Sequence, residues 1–330
     1  MNIKELAGRL SVSPSTISRV LNDKPGISDI TRKLVMEEVK KTGFTLNYNA
    51  RNLAKSKSGF IGIIGRRRGG QQDSLYFHHS ISQFEVFFQE THYQCINLSV
   101  QDHDAELFFV NNQLNIRDFA GLIIRGQSFP GKVIINLKNS GIPVVLMENR
   151  MQETSIDHVI CEDCITSRRM TEHLIARGYK KIIHITGPDY WYNNRERIKG
   201  YSEALDNTDI DKRIINMTDT TVDTGTQAFA MLKEDFSERT GVVMVNDAMA
   251  IGFLDAARKA GYSIPEQIGI TGFDDIPWAR LSYPPLTTAR VFIEEMSRLA
   301  AVRLLQLIEN PEMHPVSIQV PAEIIVRESS

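Results

Sequence analysis

Cysteine is scarce in this sequence, with three residues in a chain of 330, which excludes the dense disulfide framework of small secreted scaffolds. Cys161 and Cys164 do form a C-x-x-C spacing, which is found in metal and redox sites. No second pair accompanies it, and the only nitrogen ligand nearby is His158. We therefore expect no metal, redox or cofactor role for these cysteines, and a reducing compartment for the protein. The neighbouring pair His78 and His79 is expected to lie at the surface or in a satisfied core.

Long apolar runs and common catalytic motifs are also missing. The longest apolar run is far shorter than the roughly 20 residues that span a bilayer, and the N-terminus is polar. We therefore expect no membrane span, no signal peptide and a cytoplasmic protein. The sequence holds no Gly-x-Ser-x-Gly, no His-Glu-x-x-His and no Gly-x-Gly-x-x-Gly after a strand. An enzyme or an exported binding protein is the alternative class, but the first needs a nucleophile and a base and the second needs a signal peptide.

Net charge is small overall but unevenly distributed. Residues 1–58 carry eleven Lys/Arg and five Asp/Glu, a net charge of +6, whereas the remaining 272 residues carry −8. A basic arm on an acidic body fits phosphate binding by the arm alone. A solvated basic surface is the alternative, but it does not explain the helical pattern in the same segment.

Residues 11–22 have the pattern of the second helix of a helix-turn-helix. Ser13 is a good N-cap, and Pro14 suits the first helical position. Spacing of i, i+3 and i+4 predicts an inward apolar face formed by Ile17, Val20 and Leu21. The opposite face carries short or basic side chains suited to a major groove: Pro14, Ser15, Ser18 and Arg19.

Two further helices are predicted around this one. A first helix is indicated by an apolar stripe of Ile3, Leu6, Ala7 and Leu10. A third helix is capped by Ser28, runs through Leu34, Val35 and Val39 and stops at Gly43. Three short helices in about 45 residues are typical of a DNA-reading unit. Residues 47–58 are polar and basic around the lone apolar Leu53, which predicts either a linker or a segment that orders on a minor groove.

Residues 2–58 resemble the DNA-binding headpiece and hinge of the LacI/GalR family of bacterial repressors, and the resemblance continues to Arg327. It is carried by Ile3-Lys4-Glu5-Leu6-Ala7, Val12-Ser13, residues 16–22, Thr31-Arg32 and Ala50-Arg51-x-Leu53. The resemblance implies a homodimer on a near-palindromic operator, and the lack of a C-terminal leucine heptad favours a dimer over a tetramer. The DNA contacts that we predict are Ser13, Pro14, Ser15, Thr16, Ser18, Arg19, Asn22, Ala50, Leu53 and Ala54.

Beyond residue 59 short apolar runs alternate with helical patterns, which predicts an α/β body of parallel sheets covered on both faces. The predicted strands are Phe60–Gly65, Cys95–Val100, Gly121–Ile124, Pro143–Met147, His158–Cys161, Ile182–Thr186, Thr240–Val245 and Ile268–Phe273. The predicted helices are Ser82–His92, Thr166–Gly178, Asn194–Leu205, Thr226–Asp235, Ala248–Gly261 and Ile293–Glu309.

The body is too long for one such sheet, so we expect two lobes. The resemblance implies the fold of periplasmic sugar-binding proteins, crossed near Asp157–Cys161, Pro285–Arg290 and Val320–Pro321. The expected domains are a headpiece at 1–46, a hinge at 47–58 and the body at 59–330. Lobe one comprises about 59–157 and 290–320, and lobe two about 161–285 and 321–330.

Polar side chains follow several predicted strands, and ligands of open α/β folds bind at such carboxyl ends. The resemblance implies pocket positions for Arg197 in Arg-x-x-Gly-Tyr, Asn246 in Asn-Asp-x-x-Ala-x-Gly and Asp274 in Gly-Phe-Asp-Asp. Glu148 stands where the family usually has Asp. Helix capping is the alternative role, for example for Asp247 or Asp275. The effector contacts that we predict are Arg66, Phe77, Arg125, Glu148, Trp191, Arg197, Asn246 and Asp274.

The chain departs from the family at Arg66-Arg67-Arg68, after the first body strand, where small or polar pocket residues are usual. A solvated loop is one interpretation. A pocket that binds an anion, such as an acidic or phosphorylated sugar, is the other, and Arg125 adds a further charge. The sequence therefore predicts a repressor of carbohydrate-use genes that is controlled by a sugar or sugar-phosphate effector.

Overall fold

The computed structural model describes residues 3–21, 25–42, 59–67, 74–101, 118–126, 129, 131–151, 155–236 and 238–330. The chain divides into two compact units, residues 1–58 and 59–330. Within its described residues, the first unit contains three helices, α1 (Ile3–Leu10), α2 (Pro14–Leu21) and α3 (Asp29–Thr42).

Both predicted N-caps of the headpiece are confirmed. The Thr16 amide donates to Ser13 Oγ over 3.1 Å, and the Thr31 amide donates to Ser28 Oγ over 3.2 Å. The buried side chains come from all three helices: Leu6, Ala7, Ile17, Val20 and Val35. Leu34 is 47 % exposed because it lies beside Val35 on the outer face of α3. The predicted stop at Gly43 lies outside the described residues.

In the part of the second unit that the structure describes, the strands form two parallel sheets and a short ribbon. The six-stranded sheet has the order β11-β5-β4-β3-β1-β2, the four-stranded sheet has the order β7-β6-β8-β9, and β10 pairs antiparallel with β12. The strands are β1 (Phe60–Arg67), β2 (Gln94–Gln101), β3 (Phe119–Arg125), β4 (Val144–Met147), β5 (Asp157–Cys161), β6 (Lys181–Thr186), β7 (Arg213–Asn216), β8 (Thr240–Met244), β9 (Ile268–Thr271), β10 (Thr288–Arg290), β11 (Ser317–Val320) and β12 (Glu323–Ile325).

Helices cover both faces of each sheet, as the continuous apolar strands predict. They are α4 (Ser74–Gln89), α5 (Gly131–Asn139), α6 (Asp163–Ala176), α7 (Tyr192–Leu205), α8 (Val222–Leu232), α9 (Asp247–Lys259), α10 (Pro277–Leu281) and α11 (Ile293–Glu309). Helices α4 and α11 pack on one face of the six-stranded sheet and α5 on the other. Helices α8 and α9 cover one face of the four-stranded sheet, and α6 and α7 cover the other.

Close helix contacts depend on glycine at two crossings. A Cβ on Gly200 of α7 would lie 2.0 Å from the Cys164 carbonyl oxygen of α6. A Cβ on Gly225 of α8 would lie equally close, at 2.0 Å, to the Met249 carbonyl oxygen of α9. These helix pairs therefore approach to backbone contact, and that approach brings α6 and α7 together at the site described below.

All eight predicted body strands are present, and the differences lie in short elements. Strands β7, β10, β11 and β12 and helices α5 and α10 are not among the predicted elements. β7 alternates partly buried and exposed positions at a sheet edge, and β10 has three residues, so neither carries an apolar run. Helix α4 begins at Ser74, eight residues before the predicted start at Ser82. In the described parts of the chain no helix is long and apolar enough to cross a membrane.

The chain passes between the two sheets three times. It leaves the six-stranded sheet after Cys161 at the end of β5 and enters the four-stranded sheet at β6. It returns through β10 to α11, whose side chains join the core of the six-stranded sheet. After β11 pairs with β5, the chain leaves again at Val320 and forms β12 against β10.

Candidate functional sites

The N-terminal end of α2 presents a group of exposed hydroxyls. Ser13 Oγ lies 2.6 Å from Ser15 Oγ and 2.9 Å from Thr16 Oγ1, so the three share hydrogen bonds around the helix start. Pro14 is exposed beside them. The structure therefore brings four of the predicted DNA contacts together at a helix N-terminus, where the helix dipole favours a phosphate.

Arg19 lies further along α2 and is also exposed. Its Nη2 donates a hydrogen bond to the Pro25 carbonyl oxygen over 2.6 Å. The side chain of Ser18 and the whole of Asn22, Ala50, Leu53 and Ala54 lie outside the described residues, so their predicted DNA contacts stay predictions.

Arg125 and Glu148 lie side by side at the carboxyl edge of the six-stranded sheet. Arg125 is the last residue of β3, and Glu148 directly follows β4 with a φ of +63°. Arg125 Nη2 donates to Glu148 Oε2 over 3.3 Å, and the arginine side chain is only 3 % exposed. A non-glycine residue in the left-handed region is uncommon and is found preferentially at functional sites.

Arg197 is buried in the second turn of α7 and is held on three sides. Its Nε donates to Asp163 Oδ1 over 2.8 Å, its Nη1 donates to the Val245 carbonyl oxygen, and its guanidinium lies 3.5 Å from the centre of the Phe273 ring. Asp163 was not among the predicted site residues. It follows β5 as Glu148 follows β4, so the strand-end signal could have identified it.

Asp274 follows β9 and lies in the same cluster. Its φ is +114°, and its amide donates to the Ala289 carbonyl oxygen over 2.7 Å. In the described residues its carboxylate makes no hydrogen bond or ion pair. Burial raises its pKa well above the ordinary value, Arg197 opposes the shift, and nearby carboxylates reinforce it: Asp247, Glu148 and Asp163. A carboxylate with no hydrogen-bond partner among the described residues therefore lies close enough to the Arg197 guanidinium to feel its charge.

Asn246 and Asp247, at the start of α9, make different contacts, and the predicted effector contact of Asn246 stays a prediction. Asn246 caps α9, because its Oδ1 accepts from the Met249 amide over 2.9 Å, and its Nδ2 donates to the Thr220 carbonyl oxygen. The capping role that we left open for Asp247 therefore belongs to Asn246. Asp247 is fully buried, accepts from the Ile276 amide over 2.9 Å and from Thr288 Oγ1, and burial raises its pKa to about 7.

Asp275 is not a helix cap either. Its Oδ2 accepts from Arg290 Nε over 2.8 Å, and its Oδ1 accepts from Arg327 Nη2 over 2.5 Å. Arg290 belongs to β10, and Arg327 follows β12, so Asp275 ties the loop that carries Asp274 to both crossing segments. Asp247 contributes to the same attachment through Thr288 of β10.

Three other predicted effector contacts are less well defined. Trp191 is buried directly before α7, and its ring centre lies 6.2 Å from that of the exposed Tyr190. The backbones of Arg66 and Phe77 belong to β1 and α4, but their side chains lie outside the described residues, as does the whole of Arg68.

The cysteines are free thiols. Burial raises the pKa of Cys161 well above its ordinary value, and burial with Glu203 raises the pKa of Cys164, whose Sγ donates to Glu203 Oε2 over 3.7 Å. Among the side chains that the structure describes, no three His, Cys, Asp or Glu residues are grouped to hold a metal ion.

Two family models match this chain. The model of bacterial regulatory proteins of the lacI family matches residues 2–47, and that of a periplasmic binding protein-like domain matches residues 171–330. The probable HTH-type transcriptional repressor ExuR of Bacillus subtilis is 29 % identical over 334 residues, which cover 100 % of this chain and 98 % of that protein.

Two solved structures share the whole fold. The lac repressor dimer bound to operator and the anti-inducer ONPF superposes with a TM-score of 0.86 at 22 % identity, covering 100 % of this chain and 98 % of that one. The complex of the transcriptional regulator CelR with cellobiose has a TM-score of 0.76 at 23 % identity and covers 100 % of both chains.

A helix-turn-helix headpiece joined to a two-lobed, periplasmic-binding-protein-like body defines a DNA-binding transcriptional regulator. The matches to the headpiece and to the body agree with that class. Residues 2–47 are a DNA-binding domain of the lacI family of bacterial regulatory proteins, and residues 171–330 are a periplasmic binding protein-like domain.

Proposed function

We propose that the protein is a cytoplasmic repressor of carbohydrate-use genes, whose affinity for its operator is set by a small sugar or sugar phosphate. The observation that carries the effector part is the Asp274 carboxylate, which has no partner in the described residues and lies near the buried Arg197. A carboxylate accepts hydroxyl protons, and a guanidinium donates to hydroxyl oxygens. This pair is therefore suited to a polyhydroxylated ligand.

The two sides of the candidate site belong to different sheets, which connects ligand binding to lobe movement. Arg125 ends β3 and Glu148 follows β4 in the six-stranded sheet. Arg197 lies on α7, which covers the four-stranded sheet, and Asp274 lies beyond β9 of that sheet. A ligand that contacts both sides stabilises one arrangement of the lobes over another. Its effect on operator affinity cannot exceed its differential affinity for the two arrangements.

The charge of the effector can be tested separately. The buried Arg125 supports an acidic or phosphorylated sugar, but Glu148 already accepts one of its hydrogen bonds. A thermal-shift screen distinguishes a neutral, an acidic and a phosphorylated sugar, because a ligand of the native state raises Tm. The screen uses two matched sets: glucose, glucuronate and glucose 6-phosphate, and galactose and galacturonate. We expect one set to contain a stabilising compound, which must then change operator affinity.

The proposed DNA-binding form is a homodimer on a near-palindromic operator. Two headpieces related by twofold symmetry read two half-sites, so half-site spacing follows from the dimer. Sedimentation analysis and in vitro selection of operator sequences test this proposal. A monomer that selects only one half-site would contradict the dimer, and a protein that selects no sequence would contradict the regulator.

A further inference from the structure

Arg19 is attached to the turn that precedes α3. Its Nη2 donates to the Pro25 carbonyl oxygen over 2.6 Å, although the two residues are six positions apart and Arg19 belongs to α2. An exposed arginine side chain otherwise samples many rotamers. The bond to Pro25 therefore restricts the direction of the guanidinium before any DNA is present.

This bond is compatible with a contact to a base. A guanidinium has five N–H donors, and the Pro25 carbonyl occupies one of the two on Nη2. The other Nη2 hydrogen can still act with a neighbouring N–H in a two-bond contact. A guanine edge offers O6 and N7 for such a contact in the major groove. Arg19 can consequently keep its attachment while it reads a base.

The residue after Pro25 leaves space for the guanidinium. Gly26 has a φ of +88°, in the left-handed region that favours glycine. A Cβ at Gly26 would lie 3.1 Å from Arg19 Nη2 and 3.9 Å from its Cζ. A side chain at position 26 therefore shifts the guanidinium by at least a few tenths of an ångström from its position against the Pro25 carbonyl.

We propose that Pro25 and Gly26 form a positioning element for Arg19 and thereby contribute to operator specificity. The Pro25 carbonyl directs the guanidinium, and the missing side chain of Gly26 gives it room. The inference rests on the proposed function and on base contact by Arg19. Holding the side chain in advance removes part of the ordering cost from binding, and most of the effect appears on the specific site.

The test is a double-mutant cycle on operator binding by the full chain. The probe is a duplex selected in vitro by the wild-type protein, compared with its single-base-pair variants and with random-sequence DNA. The proteins are wild type, Arg19→Ala, Gly26→Asn and the double variant. Asn is chosen because it tolerates positive φ better than other residues while still placing a Cβ against Arg19. Gly8→Ala in α1 is the control, since its Cβ would meet nothing within 4 Å.

We expect Arg19→Ala and Gly26→Asn each to weaken binding to the selected duplex about tenfold and to lose the preference at the same base pair. Gly26→Asn leaves binding to random DNA unchanged, whereas Arg19→Ala weakens it by less than it weakens binding to the selected duplex, because one positive charge is lost. The helical circular dichroism stays unchanged in both variants. The double variant binds no more weakly than Arg19→Ala, because Gly26 acts through Arg19. Gly8→Ala behaves as wild type.

Additive losses in the double variant would overturn the positioning role, as would equal losses on selected and random DNA for Gly26→Asn, or no loss at all. If Arg19→Ala itself keeps the full base preference, base contact by Arg19 is wrong and the positioning role falls with it. A wild-type protein that selects no sequence would instead overturn the proposed function.

Discussion

The buried ion pair of Asp163 and Arg197 is expected to matter far more for stability than a surface pair of the same geometry. The two side chains are 4 % and 7 % exposed, and Nε and Oδ1 are 2.8 Å apart. Asp163→Ala leaves the buried guanidinium without its hydrogen-bonded counter-ion, although the Asp274 carboxylate stays nearby. Loss of one partner of a buried pair costs about 3–5 kcal/mol. Because Arg197 keeps the Val245 carbonyl and the Phe273 ring, we expect the lower end, about 3 kcal/mol.

Asp235→Ala is the matched control. Arg213 Nη2 and Asp235 Oδ2 are also 2.8 Å apart, but these side chains are 37 % and 34 % exposed. Solvent screening reduces such a pair to about 0–1 kcal/mol. The free energy of unfolding is measured by denaturant titration with circular dichroism, at low and high salt. A cost for Asp163→Ala no larger than that for Asp235→Ala would refute the argument from burial.

A second variant separates the loss of the pair from the loss of Asp163 itself. Asp163→Leu combined with Arg197→Met removes both charges and keeps the volume apolar. Since a buried pair replaced by apolar residues is often neutral for stability, most of the lost free energy should return. A double variant as unstable as Asp163→Ala would show that packing around Asp163, not charge, sets the cost.

Three further predictions concern the effector, the hinge and pH. Asp274→Ala should keep operator affinity but lose about 2–5 kcal/mol of effector binding, measured by calorimetry with the compound found in the sugar screen; unchanged binding would exclude Asp274 from the site. Leu53→Ser should abolish specific operator binding while effector binding and Tm stay unchanged, if Leu53 enters the minor groove; normal binding and bending of the operator would make Leu53 a packing residue. Burial lowers the pKa of His184 to about 4 from 6.5, so the unfolded state binds more protons between these values and stability falls on acidification. Between pH 7 and pH 4, His184→Phe should lose about 3 kcal/mol less of its free energy of unfolding than the wild type loses. If both proteins lose the same amount, groups other than His184 cause the acid sensitivity.

The headpiece could be predicted in detail because its signals are local. A cap at Ser13 acts three residues away, and the apolar stripe of Ile17 and Val20 depends only on the helical period. The parallel strands could be predicted for a related reason. A strand covered on both faces must be apolar along its length, which is visible in one short segment such as residues 121–124.

The candidate site could be predicted only in part. Position after a strand identified Glu148 and Asp274, and the family resemblance identified Arg197. Position after a strand does not indicate which partner a side chain binds. The sequence left capping open for Asp247 and Asp275, whereas in the structure Asn246 caps α9, Asp247 is buried and Asp275 binds two arginines.

The sequence by itself determined the helix-turn-helix, the alternation of strands and helices and the family. The first two follow from hydrophobic patterns within single helices and strands, and the family follows from short sequence motifs. Only the tertiary structure decided that Arg197 pairs with Asp163, 34 positions away, and that Asp275 binds Arg327, 52 positions away. Which charged groups pair depends on their distance and burial. The packing of α6 on α7 and the meeting of the crossing segments beside β9 determine both.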